Sequence, residues 1–295
     1  MEQYLAQFLS ALAEEKQYSD NTISAYRNDL GQFLEFVHSR TISPIEPGAV
    51  GRDIVEAYVE DLEGRPTSYA PSTVARKIAA VKSFFHYLLE RRVIPADPAS
   101  KLHSPKVQKS LPKTLSSAEM ERLLAAPGRG SGPKALRDRA LLELLYATGM
   151  RVTELVNIRS EDVDWEQREV VCHSKGERRR SIPLGSALAP LTQYWQQARP
   201  SLAREDSPSA LFLNHRGKKL TRQGVWLILK ETAEAAGIGP EVTPHTLRHS
   251  FARNMLGQGQ DLRRVQELLG HANLSTTQVY RQTEPQEPRG IAGDD

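Results

Sequence analysis

A single cysteine, Cys172, stands among 295 residues, which excludes an internal disulfide and fits a reducing compartment. No apolar run approaches the ~18 residues that a membrane span requires. The opening residues, MEQYLAQFLSALAEEK, carry acids where a secretory signal needs a basic stretch. These absences exclude a disulfide-stapled secreted scaffold and a helical membrane protein, and they predict a cytoplasmic chain. No internal repeat is visible, which excludes a repeat architecture. Net charge is also small, +3 at pH 7, so overall composition does not by itself announce a nucleic-acid partner.

What is present describes an ordinary globular protein, 39% hydrophobic and 25% charged, with a length that suits two domains. The charge is unevenly spread. No Asp or Glu occurs from Gly64 to Leu89, a stretch holding Arg65, Arg76, Lys77 and Lys82. None occurs from Pro98 to Ala118, which holds Lys101, Lys106, Lys109 and Lys113, or from Ser207 to Lys230, which holds Arg216, Lys218, Lys219 and Arg222. Segregated positive charge points to a polyanion, although solvated helix faces would look similar. Arg76, Lys77, Lys82, Lys106 and Lys109 are the predicted phosphate contacts.

Residues 1–103 predict an all-helical domain. Apolar positions recur at helical spacing in YLAQFLSALAEE, TISAYRNDLGQFLEFV and TVARKIAAVKSFFHYLLERR, with Ser19, Asp20 and Ser72 as caps. Residues 104–114, within HSPKVQKSLPKTLS, read as a linker. Residues 115–281 form a second domain, opening on Leu115, Ser116 and Glu119 as a capping box with a hydrophobic staple to Met120. ALRDRALLELLYATG is an amphipathic helix closed by Gly149, and MRVTELVNI is a shorter helical segment begun by Arg151. REVVCHSKGERRRSIPL predicts a β-hairpin with Lys175 and Gly176 near its tip. Further helices are expected at about 186–198, 221–236, 244–257, 261–269 and 275–281, before a flexible tail, 282–295. The fold class is therefore mainly α with a small β-sheet.

Thr243 and Pro244 place His245 and Arg248 in the first turn of a helix, where unpaired N–H groups and the positive dipole end favour an anion and a guanidinium can bind phosphate. His245 and His249, four apart, have a spacing that suits zinc, with Cys172 and His173 as further donors. The metalloprotease pattern, however, needs Glu where Thr246 stands. No metal is expected, and His249 reads as a core histidine. In DLRRVQELLGHANLSTTQVYR, Asp261 is a cap and Gly270 a stop, so His271 lies just past a helix end. Ser275 and Gln278 form a second capping box that places Tyr280 on a short helix.

Arg151, Lys175, His245, Arg248, His271 and Tyr280, carried by ATGMRVTELVNI, SKGERRRSIPL, HTLRHSFA and VQELLGHANLSTTQVY, resemble the tyrosine recombinases, or phage integrase family, most closely its Xer type. YSDNTISAYRNDLGQFLEFV also resembles that family's N-terminal domain, so the similarity spans nearly the whole chain. It implies a two-domain DNA clamp with a SAM-like helical core-binding domain and an α+β catalytic domain. Tyr280 would be the nucleophile, His245 the base, Lys175 the acid, Arg151, Arg248 and His271 the phosphorane ligands, and Glu154 a support for the arginines. A phenolate serves both as nucleophile and as leaving group, so the bond energy stays in the phosphotyrosine and no ATP, metal or other cofactor is implied.

The implied partners are double-stranded DNA and a tetramer, homo- or heteromeric, on two DNA sites, with a DNA translocase as a regulator to consider. The implied outcome is resolution of chromosome or plasmid dimers through a Holliday junction. The alternatives are strand relaxation of the type IB topoisomerase kind, mobile-element integration or excision, and DNA binding without catalysis. No arm-binding module is expected ahead of the helical domain. One departure concerns the end of the chain: Xer proteins usually follow the nucleophile with Thr-His, whereas Arg281 and Gln282 stand here.

Overall fold

A computed structural model describes residues 1–40, 45–64, 69–105, 113–127, 132–173 and 179–270. The expected catalytic residues Lys175, His271 and Tyr280, the expected phosphate contacts Lys106 and Lys109, Arg65, the helix at 275–281 and the tail lie outside the described residues. The chain divides into two compact units, Met1–Lys109 and Ser110–Asp295. Among the described residues no helix is long and apolar enough to cross a membrane.

The first unit is helical: α1 (Glu2–Glu14), α2 (Asp20–Arg40), α3 (Arg52–Gly64) and α4 (Pro71–Glu90). The Ser19 hydroxyl accepts from the Thr22 N–H at 3.2 Å and caps α2, with Asp20 favourably placed at its positive dipole end. Ser72 is not a cap. Ala70 holds that place and Pro71 starts the helix, because proline's missing N–H costs nothing there. The segment forming α3 was not singled out in the sequence; acids dominate RDIVEAYVEDLEG, yet Val55, Tyr58 and Leu62 share one buried face. Edge-on aromatic contacts knit the core, Phe8 to Phe84 at 5.6 Å, Phe33 to Tyr58 at 5.1 Å and Phe33 to Phe85 at 5.8 Å.

One polar cluster interrupts this core. Asp29 and Lys77 are each only 2% exposed. The Lys77 ammonium donates to the Asp29 carboxylate at 3.1 Å and to the Gln32 side-chain oxygen at 2.7 Å. It also lies 5.1 Å from the centre of the Tyr69 ring. Arg76, exposed on the same helix, pairs with the other carboxylate oxygen. This corrects the expectation that Lys77 contacts phosphate: α4 turns it inward, where Asp29 neutralises it. Arg76 stays at the surface and Lys82 is half-buried.

The second unit begins with α5 (Ser117–Ala125), where Ser116 and Glu119 form the expected capping box and Leu115 and Met120 are buried in one cluster. Then come α6 (Pro133–Thr148), α7 (Val152–Asn157) and a three-stranded antiparallel sheet, β1 (Val163–Asp164), β2 (Glu169–His173) and β3 (Arg179–Pro183), in the order β1-β2-β3. The hairpin is the predicted one, with Val170 opposite Ile182 and Cys172 opposite Arg180. The short β1 adds an edge that was not foreseen. The chain continues through α8 (Leu188–Gln193), a π turn at Tyr194–Ala198 and α9 (Arg199–Leu202), then α10 (Arg222–Ala235), α11 (Pro244–Gly257) and α12 (Leu262–Leu269). Buried residues of α6, both long strands, α10, α11 and α12 form one core.

The Asp29 cluster generates a stability prediction. Asp29→Ala leaves Lys77 buried without its carboxylate and is expected to destabilise the first unit by about 3–5 kcal/mol. Lys77→Met, with Asp29 still paired to Arg76, is expected to cost less. All three tryptophans lie in the second unit, so denaturation of Asp29→Ala should shift a far-UV circular dichroism transition and leave the tryptophan fluorescence transition in place. A shift of the fluorescence transition would contradict the assignment.

Candidate active site

The site begins where α6 ends. Gly149 adopts a left-handed conformation, φ 57°, that closes the helix. A Cβ there would lie 2.3 Å from the Phe251 ring, so both the turn and the close approach of α11 require glycine. The chain then passes through buried Met150 to Arg151, the N-cap residue of α7. The Glu154 carboxylate reaches back one turn, accepting from the Arg151 backbone N–H at 2.7 Å and from its guanidinium at 3.3 Å.

Glu154 is 6% exposed and has a second, stronger partner that sequence reasoning missed. Arg180, on β3, donates to both Glu154 oxygens at 2.8 Å, the bidentate arrangement that suits a guanidinium and a carboxylate. Burial works against the Arg180 charge, but the hydrogen bonds and charge of Glu154 outweigh it and hold the guanidinium pKa above its ordinary value. The only local signal was an arginine alternating inward on a strand, and the arginine run Arg178–Arg180 obscured it. Opposite it, burial pushes the Cys172 thiol up to about 12, so this cysteine is a neutral core group.

α11 starts on a Thr243 cap whose side chain accepts from the Thr246 N–H, with Pro244 at the first position, as the sequence predicted. His245 is exposed at this helix start. Arg248 does not remain at the exposed helix end, as its expected first-turn place implied. It is 5% exposed, and its guanidinium runs inward to donate to the Gly149 and Leu269 carbonyls, both at 2.6 Å. His249 is half-buried rather than enclosed in the core; burial lowers its pKa, and neighbouring His245 and Arg248 lower it further.

α12 stops at Gly270 in the left-handed conformation, φ 64°. The last carbonyls of a helix lack intrahelical donors, and here arginines from three other elements supply them. Arg180 donates to Leu268 at 2.8 Å, Arg248 to Leu269 at 2.6 Å and Arg151 to Gly270 at 3.0 Å. The structure thus brings Arg151, Glu154, Arg248 and the unforeseen Arg180 to one helix end. Among the described residues, three guanidiniums against one carboxylate leave two net positive charges there. The Arg151 side chain is 38% exposed, so the cluster reaches the surface. Such an arrangement can bind an anion and stabilise charge that grows on it. Among the described residues no group of three His, Cys, Asp or Glu side chains could hold a metal ion, so His245, His249, Cys172 and His173 form no such site.

Comparison with known proteins agrees with this geometry. Residues 5–92 match the phage integrase N-terminal SAM-like domain, and residues 113–287 match the phage integrase family. A tyrosine recombinase XerC of Roseiflexus castenholzii is 51% identical over 283 residues, covering 95% of this chain and 88% of its own. A tyrosine recombinase XerD of Listeria innocua is 44% identical over 283 residues, covering 95% and 94%. A crystal structure of the XerH site-specific recombinase bound to its difH substrate shares the fold, with a TM-score of 0.71 at 23% identity, over 94% of this chain and 81% of that one. By its matched domains and its relatives, this chain belongs to the phage integrase family, the tyrosine recombinases.

Proposed function

We propose that the protein is a Xer-type site-specific recombinase, a cytoplasmic enzyme that cuts and rejoins double-stranded DNA through a 3′-phosphotyrosyl intermediate. The single observation that carries this reading is the convergence of Arg151, Arg180 and Arg248 on the end of α12, immediately ahead of His271 and ten residues before Tyr280 in the chain. A surplus of guanidinium charge held on structured backbone suits a phosphodiester whose non-bridging oxygens gain charge during attack. Recombinases XerC and XerD are among the relatives, and the XerH neighbour is a site-specific recombinase bound to its difH substrate.

In the proposed reaction the Tyr280 phenol attacks the scissile phosphorus. His245, at the exposed start of α11, takes the phenolic proton, which offsets the ~4 kcal/mol needed to ionise a pKa ~10 group at neutral pH. The tyrosyl O–P bond forms as the P–O5′ bond breaks, and Lys175 protonates the departing 5′-oxygen. Arg151 and Arg248 hold the phosphorane oxygens together with His271, and Glu154 orients Arg151. Attack by the 5′-hydroxyl of another strand reverses the step and gives a Holliday junction. A tetramer on two DNA sites would carry out both strand exchanges and resolve chromosome or plasmid dimers. Phosphate contacts from Arg76, Lys82, Lys106 and Lys109 would hold the duplex, and their counterion release would make binding fall steeply with salt.

Two predictions test this reading. Tyr280→Phe removes one oxygen and is expected to fold and bind DNA normally. On a nicked substrate whose 5′-hydroxyl fragment diffuses away, the wild type should form a denaturation-resistant adduct on the peptide containing residue 280, in EDTA as well as in magnesium. An adduct from the Phe variant, or one mapped elsewhere, would overturn the mechanism. Relaxation of supercoils without junction formation would favour a topoisomerase. Arg151→Lys keeps the charge but loses the planar fork, so cleavage should fall about 10²–10³-fold while DNA affinity changes little. Wild-type cleavage by this variant would remove Arg151 from the site.

A further inference from the structure

We infer that Arg180 is a positioning residue for the cleavage reaction: by occupying Glu154 and bracing the end of α12, it keeps the Arg151 guanidinium available to the scissile phosphate. The inference rests on the proposed recombinase reading and adds to it a residue with a defined role. Its basis is an asymmetry at one buried carboxylate. Glu154 gives Arg180 two contacts of 2.8 Å, one to each oxygen, and gives the Arg151 guanidinium a single contact of 3.3 Å. The Arg180 side chain is 14% exposed, whereas that of Arg151 is 38% exposed. The buried arginine therefore neutralises the carboxylate, and the arginine nearer solvent is oriented by it without being consumed.

Without Arg180 the balance changes. A carboxylate at this depth needs a cation with paired hydrogen bonds, and among the described residues Arg151 is already touching it. Coulomb attraction at short range in a poorly solvated site would draw that guanidinium into a bidentate pair with Glu154 and away from a phosphate. Arg180 also donates to Leu268 through its third nitrogen, at 2.8 Å, so it ties β3 to the helix end that leads to His271 and Tyr280. Gly270 completes the fit: a Cβ there would stand 3.0 Å from an Arg180 guanidinium nitrogen. One side chain thus links the hairpin that carries Lys175, the carboxylate that orients Arg151 and the backbone that precedes the nucleophile.

The test is a cycle of Arg180→Gln, Glu154→Gln and the double variant in the full chain, with Arg180→Lys alongside. The rate constant of adduct formation is measured in single turnover on the nicked substrate at saturating DNA. The amplitude reports the folded fraction, so a merely structural loss would lower the amplitude and spare the rate constant. Arg180→Gln is expected to slow the rate constant about 10²-fold with DNA affinity within about twofold, because an oriented charge is lost and a surface charge is not. Adding Glu154→Gln should restore at least about tenfold, since the neutral amide it introduces no longer captures Arg151. Arg180→Lys should fall between wild type and Arg180→Gln. It also keeps the carboxylate paired should the Gln variant fail to fold.

A wild-type rate constant for Arg180→Gln, or a double variant no faster than it, would overturn the positioning role. Tyr280→Phe, run in parallel, separates the two levels. Adduct from that variant would refute the recombinase reading itself, whereas its silence beside a flat Arg180 series would refute only the inference.

Discussion

Arginine binding to the C-terminal carbonyls of α12 is the interaction on which the site depends. Three successive acceptors, Leu268, Leu269 and Gly270, are taken by guanidiniums from β3, α11 and the start of α7. Each contact is favourable twice over, since it satisfies an orphan carbonyl and places a cation at the negative end of a helix dipole. Each also fixes a charge that would otherwise sample many rotamers. Glu154 is the counterweight, holding two of the three arginines with one buried carboxylate. A second acid would halve the surplus positive charge, and the absence of Glu154 would leave the arginines to repel one another. The net charge of the cluster is therefore set as much by this one acid as by the arginines.

The parts of this arrangement that were legible in the sequence are those fixed by neighbours. Ser116 with Glu119, Thr243 with Pro244, and the stops at Gly149 and Gly270 are decided within one turn of helix, and each stands where its local pattern placed it. Arg151 and Arg248 could be selected by their motifs, but their surroundings could not be read, because Arg248 finds its acceptors on Gly149 and Leu269. Lys77 was misread for the same reason. Its partner Asp29 lies on another helix, and an acid-free stretch of sequence says nothing about an acid brought alongside by packing. Arg180 gives only a weak local signal, because Glu154 and Leu268, to which it is bound, are remote in sequence and on different elements.

Packing also joins the entry of the second unit to the helix that bears His245 and Arg248. The Ser250 hydroxyl accepts from the Leu115 N–H at 2.8 Å and donates to the Thr246 carbonyl at 2.9 Å. Arg253 donates to the Thr114 hydroxyl at 2.9 Å. Lys113 pairs with Glu241, just ahead of α11, at 2.7 Å. The last pair is exposed and contributes little energy, whereas the Ser250 contacts are buried and set the register between residue 115 and the helix. The last two residues of the expected linker, Lys113 and Thr114, and Leu115 after it are thus seated against α11 and the residues just ahead of it.

These contacts divide the proposed chemistry into two parts with different physical demands. Stabilising the phosphorane would require charges that do not reorganise as the reaction proceeds, and Arg151 and Arg248 suit that requirement by being bound to backbone from separate elements, with Arg180 held on the carboxylate beside them. Delivering the nucleophile requires only reach and timing. Tyr280 lies ten residues beyond Gly270, a length that spans at most about 35 Å, so anchoring Gly270 fixes the point from which that distance is counted. A recombinase must cut some strands and spare others at a given moment. With the proposed electrostatic machinery on structured backbone and the proposed nucleophile, Tyr280, further along the chain, control could act on the second without disturbing the first. Arg180 stands at the junction of the two, bound both to the carboxylate that holds Arg151 and to the helix end that precedes the proposed nucleophile in the chain.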